Sequence, residues 1–279
     1  MTRPSKQAAR KALPGRRSLP IIATGVVAIA LAVSVIAVVA VWLVTRHGGS
    51  NAPAAGTVQP LTDEQAGRLS QVLSKNYELQ GATFTAAAPV QAGMTLQLAG
   101  EVDWVKHRGH AAVTWVGNPS PGRVVEVFWS ESQVLERLPG LAPALTAAGK
   151  PAAGWTVRAA DTGTYAIDRV LELVTKLASQ QRDNPVLLQQ HVGTGWLRAD
   201  TLRGAKVDVF AYSEQVRHWV GVDDGRLLRV EANIGGFPQA TVVDLLVTGP
   251  QTVLGPKTVD VVPIADVQDV YERLNPPPR

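Results

Sequence analysis

Met94-Thr95-Leu96-Gln97-Leu98-Ala99-Gly100-Glu101-Val102-Asp103-Trp104 is the stretch on which the fold turns. Met94, Leu96, Leu98, Val102 and Trp104 alternate with Thr95, Gln97, Glu101 and Asp103, so an extended chain here is apolar on one side and polar on the other. This period of two sets in at Ala82 and predicts a long half-buried strand. Lys106-His107-Arg108-Gly109 turns the chain into a second strand through Val113 and Trp115. Asn118-Pro119-Ser120-Pro121-Gly122 turns it into a third through Val125, Val127 and Trp129. Successive strands joined by short polar turns predict an antiparallel meander.

Upstream, Thr62 and Gln65 have the spacing of a capping box, with Ala66, Leu69, Val72 and Leu73 as the buried stripe of a helix ending near Tyr77. Downstream, Ser130 and Gln133 repeat the capping pattern ahead of Val134, Leu135 and Leu138, which predicts a short helix stopped by Pro139-Gly140. Residues 139–154, rich in Ala, Pro and Gly, read as a loop. Ile167, Val170, Leu171, Val174 and Leu177 form one face of a helix running to about Gln180. Strands follow at Gly195–Leu202, Lys206–Tyr212, Arg217–Val222, Leu227–Ile234 and Thr241–Thr248, with Asp223-Asp224-Gly225 as a hairpin turn. A short strand at Val259–Val262 and a helix at Ile264–Leu274 complete the pattern.

The chain has 279 residues, 46% of them hydrophobic and 18% charged, which is too apolar for a disordered protein. It has no cysteine, which excludes disulfides, thiolate metal sites, thiol nucleophiles and a lipidated Cys. The formal charge of +4 is unevenly placed. Residues 1–47 hold seven Lys/Arg and no acid, leaving 20 basic against 23 acidic residues beyond. The basic balance therefore belongs to the N-terminus, and no nucleic-acid partner is expected for the rest.

Ile21 to Val44 is a run of 24 residues without a charge. As a helix at about 1.5 Å per residue it would reach roughly 36 Å, enough for a hydrocarbon core of about 30 Å. Six positive charges precede it and only Arg46 follows closely, so the positive-inside rule predicts a cytoplasmic N-terminus. The alternative is a signal peptide cut near Ala52-Pro53-Ala54; the length of the run favours a retained anchor. The expected organisation is a basic cytoplasmic tail (1–20), a transmembrane helix (21–45), a Gly/Ala/Pro linker (46–60), an extracytoplasmic domain (61–275) and a tail (276–279). The chain is thus expected in the cell membrane as a single-pass protein.

No G-x-S-x-G, H-E-x-x-H, Walker or G-x-G-x-x-G motif occurs, so no enzyme is expected and no cofactor or metal. His107 and His110 stand among cations, which disfavours a metal site, and His218 reads as structural or surface. Asp200 and Asp208 lie on neighbouring strands and could meet, which is weak evidence for acid–base chemistry. The unusual feature is tryptophan. Trp104, Trp115, Trp129, Trp155, Trp196 and Trp219 all follow the apolar run, against four Phe and four Tyr in the whole chain. They fill a core, or they line a concave apolar surface that holds a ligand.

The order of elements, the segment Gly100-Glu101-Val102-Asp103 with Gly109-His110-Ala111-Ala112-Val113, the hairpin from His218 to Glu231 and the closing Pro256–Pro263 segment resemble the LolA/LppX-like lipoprotein carriers of bacterial envelopes, especially the LppX/LprG-type branch. The resemblance covers about residues 61–274. It implies an α+β fold: a curved antiparallel half-barrel with helices on its concave face and an apolar cavity between them for acyl chains. The branch's lipidated Cys is missing, so a transmembrane helix would replace the acyl anchor. The function that follows is a membrane-anchored extracytoplasmic protein that binds a lipid or acylated ligand for hand-over or sensing. Met94, Leu96, Leu98, Val102, Trp104, Val113, Trp115, Val125, Val127 and Trp129 are the expected cavity residues. The alternative is an envelope interaction or regulatory protein with the same fold and a filled core, working through a protein partner.

Overall fold

The computed structural model describes residues 57–117 and 124–275. The first half of the described chain forms β1 (Gly81–Gln91), β2 (Met94–Asp103), β3 (Arg108–Gly117), β4 (Val124–Trp129), β5 (Gln133–Arg137) and β6 (Trp155–Ala159). The second half forms β7 (Gly195–Leu202), β8 (Ala205–Ser213), β9 (Val216–Gly221), β10 (Leu227–Ala232), β11 (Thr241–Thr248) and β12 (Val261–Pro263). All twelve belong to one sheet, in the order β12-β6-β5-β4-β3-β2-β1-β11-β10-β9-β8-β7. Two meanders therefore meet at β1 and β11, whose antiparallel pairing runs from Ala82↔Thr248 to Ala87↔Val242.

The alternation read from the sequence puts rows of apolar side chains on one face, the inner face. Leu98, Val113 and Val125 form one row across β2, β3 and β4. Val102, Gly109 and Trp129 form another, in which the glycine makes room for the indole: a Cβ on Gly109 would overlap the Trp129 ring. The phase continues across the second meander through Phe210, Val220, Val230, Val243 and Leu245, all buried in the same core. A second, smaller cluster of Leu197, Leu202, Val207, Val209, Ala211 and Trp219 occupies the other face of β7 to β9. β8 is thus buried on both faces.

Six α-helices lie among the described residues: α1 (Asp63–Ser70), α2 (Val72–Glu78), α3 (Leu141–Ala147), α4 (Ala166–Thr175), α5 (Pro185–Gln190) and α6 (Gln268–Leu274). The Thr62–Gln65 capping box forms as the spacing predicts. The single helix expected from Thr62 to Tyr77 is broken at Gln71, whose N–H bonds the Arg68 carbonyl, so α1 and α2 are separate. α4 buries Val170, Leu171 and Val174 in the main core and lies against β1 and β2.

Five further expectations are corrected. The wholly antiparallel half-barrel is instead a large mixed sheet with few helices, because β12 joins β6 in parallel through Val261↔Trp155 and Val262↔Thr156. The rest of the chain after β6 supplies the long crossover that a parallel pair needs. The transmembrane, single-pass expectation is also corrected. Among the described residues no helix is long and apolar enough to cross a membrane. The longest, α4, has 10 residues, about 15 Å against a hydrocarbon core of about 30 Å. The run Ile21–Val44 itself lies outside the described residues.

Residues 133–137, expected in a helix, are strand β5, and the supposed loop of 139–154 contains α3. The helix expected to reach Gln180 stops at Thr175, and the Leu177 carbonyl beyond it accepts from the Asn76 side chain at 2.6 Å.

Candidate functional site

α4 offers Asp168, Leu171, Glu172 and Thr175 along one side, at the spacing that aligns side chains over two turns, and Lys176 follows at its C-cap. Facing them are His107 from the β2–β3 turn, Trp129 at the end of β4, Ser130 and Glu131 from the β4–β5 turn, Val134 of β5, and Ala160 and Thr162 after β6. Between lies a groove of about 490 Å³, within the size range of small-ligand sites. Its walls are apolar at Trp129, Val134, Ala160, Leu171 and Ala178. Its rim carries exposed His107, Glu131, Glu172 and Lys176.

Two indoles fix this groove to the sheet. The Trp129 N–H donates to the Thr175 hydroxyl at 3.0 Å, and that hydroxyl donates to the Leu171 carbonyl at 2.8 Å. The Trp104 N–H donates to the Val174 carbonyl at 3.0 Å. Both bonds satisfy polar atoms near the end of α4 that burial would otherwise strand.

At the other end of the groove, Asp168 is buried against a charged network. Both Arg158 Nη atoms donate to it at 2.7 Å, and the Asp161 N–H donates at 2.7 Å. Arg158 also donates to Glu136 through Nε at 3.1 Å and Nη2 at 3.0 Å. Tyr271 of α6 donates its hydroxyl to the second Glu136 oxygen at 2.5 Å. Burial alone would lower the Arg158 pKa, but the two carboxylates hold it above its ordinary value. For Tyr271, burial and then Glu136 push the phenol up. The network links β5, β6, α4 and α6. On the rim, Lys176 and Glu172 pair at 2.6 Å in the open, where such a pair adds little stability.

The ten residues singled out from the sequence fall on the inner face. Met94, Leu96, Leu98, Val102, Trp104, Val113, Val125, Val127 and Trp129 are buried, and Trp115 is partly buried against the same core. Trp129 alone among them lines the groove. The others pack among the side chains of the core, with Leu96, Val102 and Val127 at 0% exposure. Of the α4 residues that line the groove, Leu171 belongs to the apolar stripe read from the sequence, and Asp168, Glu172 and Thr175 flank it. Glu131, Ala160 and Thr162 sit in turns and carry no pattern that would mark them.

Asp200 and Asp208 do not meet: Asp200 pairs with Arg198 at 3.3 Å, while Asp208 takes Arg68 at 2.8 Å and the Trp196 N–H at 2.9 Å. His218 is buried and stacks on Tyr212 at 4.7 Å between ring centroids. Among the described residues no group of three or more His, Asp or Glu could hold a metal ion.

No family model and no curated protein matches the chain. Among the solved structures that show a weak likeness, two share a large antiparallel sheet. An uncharacterized conserved protein from Thermus thermophilus is 10% identical with a TM-score of 0.35, over 71% of this chain and 95% of its own. A chain of the MucA/MucB complex of Pseudomonas aeruginosa is 11% identical with a TM-score of 0.28, over 70% of this chain and 58% of its own. Likeness this low carries no argument about function.

Proposed function

We propose that the domain is a binding module of the LolA/LppX-like kind, whose groove beside α4 takes the apolar part of a lipid or acylated ligand. The observation that carries this reading is the groove of about 490 Å³ with apolar walls and a charged rim. An apolar tail would lie along Trp129, Val134 and Leu171, and its polar end would meet Glu131, Lys176 and water. The groove adjoins the inner face, so the ligand surface lies one step outward from the ten residues picked by sequence. The reading is one of binding, not of catalysis.

The test is saturable binding of a fluorescent fatty-acyl probe to the full chain, competed by unlabelled fatty acid. Binding that saturates and that Ala160→Trp, at an exposed position of the groove wall, weakens supports the reading. Binding that never saturates, or that Ala160→Trp leaves unchanged, overturns it.

The packing of the inner face favours a second reading, an interaction protein with a filled core. Under that reading the domain recognises a protein partner and leaves the probe unbound.

A further inference from the structure

The groove beside α4 has walls suited to an alkyl chain and charges that do not balance. Five titratable side chains line it: His107, Glu131, Asp168, Glu172 and Lys176. Lys176 meets the Glu172 carboxylate at 2.6 Å, so that pair carries no net charge. Asp168 belongs to the buried network, in which the single cation Arg158 serves two carboxylates, Asp168 and Glu136. Tyr271 adds no charge there, since burial and Glu136 push its phenol up. The trio therefore keeps one negative charge. With side chains 1%, 6% and 10% exposed for Asp168, Arg158 and Glu136, that charge is poorly screened by water or salt.

Glu131 adds a second negative charge at the mouth, where it is exposed. Lys106 and Arg108, on either side of His107, lie 3.7 Å from the Asp103 carboxylate and do not line the groove. A chain laid against Trp129, Val134 and Leu171 thus places its head in a field set by Glu131 and by the excess carboxylate behind Asp168.

We propose that the groove selects its occupant by head charge, taking an alkyl or acyl chain with an ammonium head in preference to one with an anionic head. This rests on the reading that an apolar chain binds here, and adds which head it carries. An ammonium is attracted by both charges and donates hydrogen bonds to the Glu131 carboxylate. A carboxylate head is repelled by both and has no proton to offer. Lys176 does not reverse the preference, because Glu172 already holds it in the open. Unspecific attraction would act the other way: the full chain carries +4, which draws anions. A preference for the cation therefore has to come from the groove.

The test displaces a fluorescent fatty-acyl probe from the full chain with dodecylamine, dodecanol and dodecanoate at neutral pH, each kept monomeric. The three share a tail and differ in head charge. Half-displacement by dodecylamine is expected at a concentration at least tenfold below that of dodecanoate, with dodecanol between. Glu131→Gln is expected to shrink that ratio at least threefold, and Lys176→Gln, which leaves Glu172 without its cation, to raise it. A merely structural role for either residue would move all three competitors together and leave the ratio alone.

A ratio of one or less in the unaltered chain, or a ratio that neither variant moves, overturns the charge selection while the binding reading stands. Failure of the probe and of all three amphiphiles to bind saturably overturns the binding reading, and the selection with it. Lysophosphatidylethanolamine against lysophosphatidylglycerol then separates the sources of the ammonium. The same order between these two places it on a phospholipid head, and a preference confined to dodecylamine places it on a free long-chain amine.

Discussion

Gly109 sits on β3 opposite Trp129 of β4, and the indole occupies the space a side chain would need. Gly109→Ala is therefore expected to cost about 1–3 kcal/mol, because the ring must move or the strands must part. Gly67, inside α1, has nothing within 4 Å of a Cβ. Gly67→Ala is expected to stabilise by about 0.5–1 kcal/mol through helix propensity. Thermal melting of the two variants reads opposite signs from the same chemical change. His218 gives a pH dependence. Its ring is buried against Tyr212, its Nδ1 has no hydrogen-bond partner, and burial lowers its pKa to about 4 from an ordinary 6.5. Below 6.5 the unfolded chain takes up a proton that the folded ring resists. This contribution is level above about 6.5 and costs up to about 3 kcal/mol as pH falls to about 4. His218→Phe keeps an aromatic ring on Tyr212 and is expected to flatten this part of the curve of denaturant midpoint against pH. An unchanged curve would mean that other groups set the slope.

At the scale of elements, the strands were legible where one face is buried and the other wet, as in β2, where Met94, Leu96 and Leu98 alternate with Thr95 and Gln97. β5 was not legible as a strand. Val134 and Leu135 of β5 are both buried, so alternation is lost and the apolar positions 134, 135 and 138 mimic a helical face. The Ser130–Gln133 pair, which reads as a cap, is a hairpin turn in which the Ser130 N–H bonds the Gln133 carbonyl. The network that joins β5, β6, α4 and α6 was equally invisible, because Glu136, Arg158, Asp168 and Tyr271 are separated in sequence and meet only in the fold. Asp168 is its most buried member, with 1% of its side chain exposed. Asp168→Asn keeps the shape but takes away a charge that Arg158 needs, and is expected to cost about 3–5 kcal/mol. Lys176→Ala, which breaks only the exposed pair with Glu172, is expected to cost no more than about 0.5 kcal/mol. Chemical denaturation of both variants checks the contrast. Similar small losses would show that the buried network holds nothing together.

Over the whole molecule, the contact that joins the two meanders is β1 with β11, about 160 residues apart along the chain. Local periodicity finds β11 but runs β1 and β2 together into one long strand, and it gives no pairing; the parallel return of β12 to β6 is of the same kind. The candidate site shows the same limit. The apolar inner face could be read from alternation, but whether helices fill it or leave it open depends on how closely they pack. Among the described residues the inner-face side chains are nearly all buried, and a groove lies open at the end of β4, beside α4. The central claim is that this groove, and not the inner face, receives an apolar ligand. The measurement is a pair of variants, each followed by thermal melting and by titration with a fluorescent fatty-acyl probe. Ala160 is exposed on the groove wall, so Ala160→Trp is expected to leave the melting temperature near that of the unaltered chain while weakening probe binding at least tenfold. Val127 is wholly buried, so Val127→Trp is expected to overpack the core and cost about 1–3 kcal/mol. Full-strength binding by Ala160→Trp, or a Val127→Trp protein that melts normally and loses the probe, would contradict the account and return the site to the inner face.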